Sequence, residues 1–218
     1  MGYDDFRAKL ITGLNELQLQ FTSQIIDKLI AYKDMLLKWN KTYSLTAITD
    51  EDEVLKYHIL DGLTLVKYLT KDNIGNIIDV GSGMGVPGVI LAIYFNNLLV
   101  SVLDSNKKKT SFLTQVGIEL GLTNLLVITT RVEKFNPVNK YEVITSRAFA
   151  DLEVFVNLTK HLLAPNGYFL AMKSKKTLDE TVKIAQYNHE IIEVKIPNTN
   201  DLRFLVKIKT NEKYNCDC

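Results

Sequence analysis

The stretch NIIDVGSGMG, residues 76–85, joins a short apolar segment to a loop with three glycines. A short apolar run that is bounded by a turn signal is typical of a buried parallel strand. Glycine takes backbone angles that other residues resist, and it lets a ligand approach the main chain closely. Because open α/β sheets bind ligands at the carboxyl ends of their strands, this stretch predicts a nucleotide-like cofactor at the loop.

Two classes of cofactor fit this loop. The segment from Gly83 to Gly88 matches the dinucleotide pattern G-x-G-x-x-G, with Asp104 far enough downstream to hold a ribose, so a nicotinamide cofactor is one possibility. Asp79 favours the other, since a pyrophosphate would meet a like charge there, whereas S-adenosylmethionine carries an ammonium and a sulfonium. Pro87 also removes a backbone donor where a phosphate needs one. A glycine turn without a ligand is the remaining alternative.

Composition limits the class of protein. The 218 residues suit one domain, and a formal net charge of +1 does not by itself indicate a nucleic-acid binder. No apolar run is long enough to cross a membrane, and the N-terminus lacks a secretory pattern. Cys216 and Cys218 provide neither a disulfide framework nor zinc spacing. We expect a cytoplasmic monomer without a metal, whose RNA affinity comes from lysine patches such as 107–109 and 173–176.

The pattern of apolar residues changes at Asn76. Before it, helical spacing predicts a first helix that includes Phe6 to Leu17, a second to about Asn40, and others over 50–57 and 61–68. After it, short apolar runs alternate with helical segments, and the last two strands lack a helix between them, which predicts an antiparallel hairpin. These strands are predicted at 77–80, 98–103, 125–128, 143–144, 168–173, 191–196 and 204–208, with a helix near 178–186 and a turn at 165–167.

This order predicts an α/β fold of the class I S-adenosylmethionine-dependent methyltransferase type. Its sheet would be Rossmann-like, doubly wound and mostly parallel, with seven strands and an antiparallel C-terminal hairpin. Residues 1–70 are predicted to form a helical extension that packs on a methyltransferase domain at 71–218, which ends in a polar tail at 211–218. Fold alone does not establish the activity.

Several sequence blocks follow one another in a fixed order. They are KWNKTYSLTA at 38–47, HILD at 58–61, the glycine loop, LDSNKKK at 103–109, RVE at 131–133, SRAFA at 146–150 and RFLVKI at 203–208. In this order, over essentially its whole length, the chain resembles the RsmG/GidB family of bacterial small-subunit rRNA 7-methylguanosine methyltransferases. The resemblance implies an enzyme that methylates N7 of a guanine in the decoding-region loop of 16S rRNA, as naked RNA or in the small ribosomal subunit particle.

The loop and the resemblance together imply site residues. Asp104 would accept hydrogen bonds from the ribose hydroxyls, Val132 and Glu133 would border the adenine, and Arg147 would reach toward cofactor and target base. The predicted cofactor-binding residues are Asp79, Gly81, Gly83, Gly85, Val86, Asp104, Val132, Glu133 and Arg147. The predicted substrate residues are Arg147 and Lys173, which could hold guanine O6, and His58 and Asp61 at the substrate mouth.

Each role has a structural alternative. Asp104 could cap the next helix, and Glu133 could be a surface acid. His58 could make a core hydrogen bond, and Arg147 could form a phosphate clamp or an ion pair. Two other functions also stay open: a nicotinamide-dependent oxidoreductase, and a non-catalytic RNA-binding module that keeps a degenerate methyltransferase fold.

The implied reaction fits what the sequence lacks. Guanine N7 carries a lone pair and no proton, so its methylation needs no general base, and alignment can supply roughly 7–11 kcal/mol of the barrier. Both cysteines lie in the tail, which argues against a cytosine C5 methyltransferase with a cysteine nucleophile. No two prolines are adjacent, which argues against the motif of exocyclic amino methylases.

Overall fold

A computed structural model describes residues 3–210, so the predicted tail with Cys216 and Cys218 lies outside the described residues. The chain begins with helix α1 (Tyr3–Glu16) and helix α2 (Ser23–Tyr43), whose buried apolar residues recur at helical spacing. Thr22 caps α2 by accepting a hydrogen bond from the Ile25 amide, at 3.3 Å. These two helices confirm the first two helical predictions.

The next helical segment is continuous but changes its hydrogen-bonding pattern. It consists of α3 (Glu51–Val54), a π-helical segment (Leu55–Leu60) and α4 (Asp61–Leu63), and α5 (Val66–Asp72) follows after a short break. The Asp50 carboxylate accepts from the Glu53 amide at 3.0 Å, as the capping pattern predicts. The predicted break near Tyr57 is wrong, because the π turn carries the helix through it.

Seven strands form one mixed sheet in the order β3-β2-β1-β4-β5-β7-β6. Strands β1 to β5 pair in parallel, and β7 pairs antiparallel with both β5 and β6. This arrangement confirms the predicted fold class and the C-terminal hairpin. The elements are β1 (Asn76–Val80), α6 (Gly88–Tyr94), β2 (Leu99–Asp104), α7 (Lys107–Glu119), β3 (Leu125–Thr129), β4 (Tyr141–Arg147), α8 (Leu152–Thr159), β5 (Leu163–Ser174), β6 (Asn188–Lys195) and β7 (Leu202–Lys209).

Two features near β5 differ from the sequence prediction. The turn predicted at 165–167 lies inside β5 as an irregularity, since Leu163 pairs with Tyr141 but Tyr168 already pairs with Val143. The helix predicted near 178–186 is a 3-10 helix, Lys175–Ile184, which begins three residues earlier than predicted. Within this segment Glu180 turns inward to the end of β5, where its carboxylate lies 2.6 Å from Lys173 Nζ.

The N-terminal helices pack on the sheet through α6 and α7. Phe112 of α7 is central to this contact, because the rings of Tyr32 and Trp39 lie 6.3 and 5.6 Å from it. One buried apolar cluster includes residues of α1, α2, α6, α7 and one face of the sheet, and a second joins α8 to the opposite face. Both faces are therefore covered, and the carboxyl ends of the parallel strands remain as the accessible edge.

The strand order reverses between β1 and β4. The loops after β1, β2 and β4 meet at this point, which is where doubly wound sheets bind their ligands. None of the helices within residues 3–210 has the length and apolar character that a bilayer crossing requires.

Candidate active site

The glycine loop after β1 is held by the neighbouring strand. The amides of Gly81 and Ser82 both donate to the Leu103 carbonyl, at 2.8 and 3.1 Å, and the Gly85 amide donates to the Ser82 carbonyl at 2.8 Å. Gly81 and Gly85 have φ values of +70° and +96°, which side chains rarely adopt. Tyr32 of α2 donates to the Met84 carbonyl at 2.9 Å, so the N-terminal helices help to fix this loop.

Asp79 lies fully buried beneath the loop. Its Oδ2 accepts hydrogen bonds from the Ser82 hydroxyl at 2.6 Å and the Gly88 amide at 2.9 Å, while its Oδ1 has no partner among the described residues. Burial raises the pKa of Asp79 to about 6, against the hydrogen bonds from Ser82 and Gly88 and the charge of Arg147. The carboxylate thus organises the loop from beneath through Ser82 and Gly88.

Asp104 stands at the end of β2, beside the loop. Its Oδ2 accepts from the Gly83 amide at 3.0 Å, its Oδ1 accepts from the Asn106 amide at 2.8 Å, and Lys109 Nζ lies 3.6 Å from Oδ2. The N-cap of α7 is Asn106, whose side chain accepts from the Lys108 amide. Each carboxylate oxygen of Asp104 has a second lone pair, so both can also accept a ligand hydroxyl.

A cleft of about 350 Å³ opens between these loops. Gly81 and Phe149 form one part of its wall, and a Cβ added at Gly81 would lie 2.6 Å from Phe149 Cδ2. Val132 is buried in the short turn after β3 and supplies an apolar surface, with Glu133 exposed beside it. The volume is within the range of cofactor pockets, and the wall combines a bare backbone, a carboxylate and an apolar face. These residues fit an adenosine group attached to a cationic chain.

Some predicted cofactor residues do not line this cleft. Val86 is buried in the main apolar cluster, and Gly83 and Gly85 shape the loop behind the cleft wall. A Cβ at Gly85 would lie 2.4 Å from Val89 Cγ2, so this glycine serves the packing of α6. The structure therefore brings together Gly81, Asp104, Val132 and Glu133 in the cleft and places the other loop residues beneath it.

Arg147 belongs to a second group of polar residues at the same sheet edge. Its Nη1 donates to the Tyr57 carbonyl at 2.6 Å and to Asp61 Oδ2 at 3.0 Å. Arg203 of β7 binds the same carboxylate through two hydrogen bonds, at 2.6 and 2.7 Å. Asp61 is completely buried. Two guanidinium groups therefore share one carboxylate, and the cluster has a net positive charge.

His58 lies next to this cluster and is uncharged. Its Nδ1 lies 2.9 Å from the Tyr57 carbonyl and its Nε2 lies 2.9 Å from the Thr46 hydroxyl, and Thr46 is held at both backbone groups by the Asn40 side chain. Burial, followed by the nearby charge of Arg147, lowers the pKa of His58 to about 4. A neutral ring that donates through Nδ1 and accepts through Nε2 satisfies both contacts.

Lys173 is committed to other protein groups. Its Nζ donates to the Ala150 carbonyl at 2.8 Å and to Glu180 at 2.6 Å, and Glu180 also accepts from the Leu152 amide at 3.0 Å. These contacts fix the start of α8 and the segment after β4. Lys173 does not line the cleft. Among residues 3–210, no cluster of three or more His, Cys, Asp or Glu side chains could hold a metal ion.

The sequence matches a known family over most of its length. Residues 25–202 match the GidB model, described as rRNA small subunit methyltransferase G. The chain belongs to the GidB family. It is 44% identical over 203 residues to ribosomal RNA small subunit methyltransferase G of Chromobacterium violaceum, covering 92% of this chain and 96% of that one. It is 43% identical to the protein of the same name from Hydrogenovibrio crunogenus, over 93% of each chain.

Comparison with solved structures supports the fold. A SAM-dependent methyltransferase from Aquifex aeolicus superposes with a TM-score of 0.53 at 18% identity, covering 68% of this chain and 90% of that one. The predictions of family and fold class are confirmed for this GidB protein, whereas the roles of individual residues stay predictions. No role was predicted for Arg203 or Phe149 from the sequence. Their signal was membership of the blocks RFLVKI and SRAFA, which the fold brings to the same edge.

Proposed function

We propose that the protein transfers a methyl group from S-adenosylmethionine to N7 of a guanine in the 530 loop of 16S rRNA. The coarser activity, S-adenosylmethionine-dependent methylation of small-subunit rRNA, follows from membership of the GidB family. The finer proposal rests chiefly on one observation. The cleft lined by Gly81, Asp104 and Val132 and the positively charged arginine cluster lie at the same edge of the sheet.

The residues of the cleft divide the work of holding the cofactor. Asp104 would accept from the ribose hydroxyls, and Val132 and Glu133 would border the adenine. Gly81 lets the Phe149 ring pack against the bare backbone of the cleft wall. Asp79, buried beneath the loop, would favour the cationic methionine end through its negative charge rather than by direct contact. When bound, S-adenosylmethionine supplies a methyl group that is activated by a sulfonium.

The polar cluster suits a methylation without proton transfer. Guanine N7 has no proton to lose, so the protein has only to align the base and tolerate the positive charge that develops on it. His58 fits this description, since it is uncharged at neutral pH and both ring nitrogens have partners. Its lowered pKa also makes it a weak base.

Arg147 is our candidate for orienting the guanine. Its Nη1 is held by Tyr57 and Asp61, and its Nη2 lies 3.8 Å from Met84 Sδ of the glycine loop. The guanidinium therefore bridges the N-terminal helices and the cofactor loop, where it can donate to O6 of the base. Lys173 is a weaker candidate, because Glu180 and Ala150 already occupy its ammonium. An Arg147→Ala enzyme with full methylation and normal RNA affinity would refute this role.

Three broader parts of the proposal concern the whole chain. We propose that residues 1–70 form an extension of the catalytic domain at 71–218, that the protein acts as a monomer, and that it works in the cytoplasm. The shared apolar cluster of α1, α2 and α7 supports the first. Light scattering after gel filtration tests the second, and a dimer mass that persists on dilution would contradict it.

The methylated position is tested by chemical scission of RNA. Small-subunit particles that lack the modification are incubated with the protein and S-adenosylmethionine, and the 16S rRNA is then treated with borohydride and aniline, which cleave at 7-methylguanosine. The proposal predicts one new cleavage, in the 530 loop. Cleavage at another guanine would refute the site, and methylated RNA without cleavage would refute N7 as the acceptor atom.

A further inference from the structure

A second pocket lies at the same edge of the sheet, apart from the cofactor cleft. It has a volume of about 530 Å³ and lies between the end of β5 and the start of β7. Its wall includes an aromatic ring, two cationic side chains, an amide and a carboxylate. The residues that matter here are Tyr57, Lys175, Asn200, Asp201 and Arg203.

Strand register places this pocket beside the candidate active site. Arg147 pairs with Met172 across β4 and β5, and Ser174, two residues further along β5, pairs with Arg203 of β7. Both arginines bind Asp61, and Arg203 lines the second pocket, so the arginine cluster adjoins this pocket. The two pockets share no lining residue. A ligand in the second pocket would thus lie next to the reacting base without replacing the cofactor.

The charge of the arginine cluster favours an anion. Arg147 and Arg203 both form ion pairs with Asp61, so these three side chains together carry one net positive charge. An anion bound beside Arg203 would offset that charge. Arg203 uses Nε and Nη2 for Asp61, and no partner is described for its Nη1 within residues 3–210. Lys175 is exposed on the same wall. These two side chains together match a phosphate.

Tyr57 gives the pocket an aromatic surface that is held in place. Its hydroxyl donates to Asp201 Oδ2 at 2.9 Å, and its carbonyl accepts from Arg147 Nη1 at 2.6 Å. The ring is only partly covered. Single-stranded RNA is recognised by stacking of bases on such rings, with charged groups along the backbone. Asp201 would repel a phosphate, but it can accept a hydrogen bond from a base N–H.

We propose that this pocket binds a nucleotide of the RNA substrate that neighbours the methylated guanine. Its phosphate pairs with Lys175 and Arg203, and its base stacks on Tyr57. The inference rests on the proposed function in that the ligand is the rRNA substrate. The cofactor's carboxylate is the competing anion, but it would leave the aromatic wall without a role, and it belongs to a ligand that the separate cleft fits.

The test compares four variants of the full chain, with unmodified small-subunit particles as the ligand. Tyr57→Leu removes the stacking surface, and we expect the Kd for particles to rise about 5- to 150-fold. Tyr57→Phe keeps the ring and should recover most of that loss. Lys175→Ala should weaken binding and lower the slope of log Kd against log salt by roughly 0.7 to 0.9. Lys209→Ala is the matched control, since Lys209 ends the same strand β7 at its opposite end.

Two further readouts separate this inference from the proposed function. The Kd for S-adenosylmethionine, measured without RNA, should stay within about twofold in every variant, and a large rise in Tyr57→Leu or Lys175→Ala would show that the pocket serves the cofactor. If Tyr57→Leu and Lys175→Ala bound particles as tightly as Lys209→Ala does, the inference would be overturned. That result would leave the proposed function standing if the wild type methylated guanine. Conversely, the wild type could methylate another atom while Tyr57→Leu and Lys175→Ala lost particle binding. That result would refute the proposed reaction and support the RNA pocket.

Discussion

Replacing Asp79 by asparagine removes one charge with almost no change in volume. The carboxyl group is fully buried, and burial raises its pKa from 3.8 to about 6. In the unfolded chain the group ionises near its ordinary value, so the folded state binds the proton more tightly. Stability from this group is therefore fully present below pH 3.8 and is lost as the pH rises through about 6.

The structure sets the size of this effect. A rise of about 2 pKa units, at about 1.36 kcal/mol for each, corresponds to about 3 kcal/mol of unfolding free energy, most of which is lost between pH 4 and pH 7. The substituted asparagine would not titrate. Its amide oxygen can still accept from Ser82 and Gly88, but its NH₂ would replace an oxygen that already lacks a partner. The absolute stability of the variant is therefore less informative than its dependence on pH.

The assay is urea denaturation of Asp79→Asn and wild type from pH 4 to pH 8. The wild type also titrates His58, whose lowered pKa acts in the opposite direction, so the difference between the two proteins isolates Asp79. We expect wild type to lose roughly 2 to 3 kcal/mol more than the variant between these limits. Equal pH dependence, with equal m-values, would refute a buried carboxyl with a raised pKa. S-adenosylmethionine should also bind the variant more weakly at pH 8.

The remaining predictions concern the cleft and the arginine cluster. Gly81→Ala places a Cβ 2.6 Å from Phe149 Cδ2, on a backbone with a positive φ. The variant should lose about 1–2 kcal/mol of stability, measured by denaturation, and bind S-adenosylmethionine more weakly, measured by calorimetry. Unchanged affinity would contradict the role of Gly81 in the cleft wall. Asp104→Asn should raise the cofactor Kd roughly 10-fold, because a neutral amide is a weaker acceptor for ribose hydroxyls, and an unchanged Kd would argue against this contact. Wild type should lose roughly 3 kcal/mol of unfolding free energy through His58 as the pH falls from 6.5 through about 4, because the unfolded histidine protonates first, and His58→Gln should not show this loss. Equal acid sensitivity of the two proteins in denaturation experiments would show that His58 is not neutral in the fold.

The parts of the fold that are encoded locally could be predicted from the sequence. The strand and glycine loop at 76–85, the alternation of strands and helices, and the final hairpin each have a periodicity or turn signal of their own. Asp104 could be predicted because it ends a parallel strand, and open α/β sheets bind ligands at the carboxyl ends of such strands. In the structure its carboxylate accepts a hydrogen bond from the Gly83 amide of the loop.

The rest depends on contacts between distant residues. The π turn around Tyr57 presents a carbonyl to Arg147, 90 residues away, and Arg203 reaches Asp61 across 142 residues, so no local pattern indicates either. The helix after β5 was predicted, but its 3-10 type was not, nor were the contacts of Glu180 with Lys173 and the Leu152 amide. Membership of sequence blocks did mark Arg203 and Phe149, but only the fold shows which surfaces they form.

The central claim is the transfer of a methyl group from S-adenosylmethionine to guanine N7 of small-subunit rRNA. Its most direct test is incubation of the full chain with labelled S-adenosylmethionine and small-subunit particles that lack the modification, followed by digestion of the 16S rRNA and nucleoside analysis. We expect the label to appear as 7-methylguanosine. Label in any other nucleoside, or no transfer by a protein that binds both cofactor and particles, would contradict it, and the second result would favour a non-catalytic RNA-binding module.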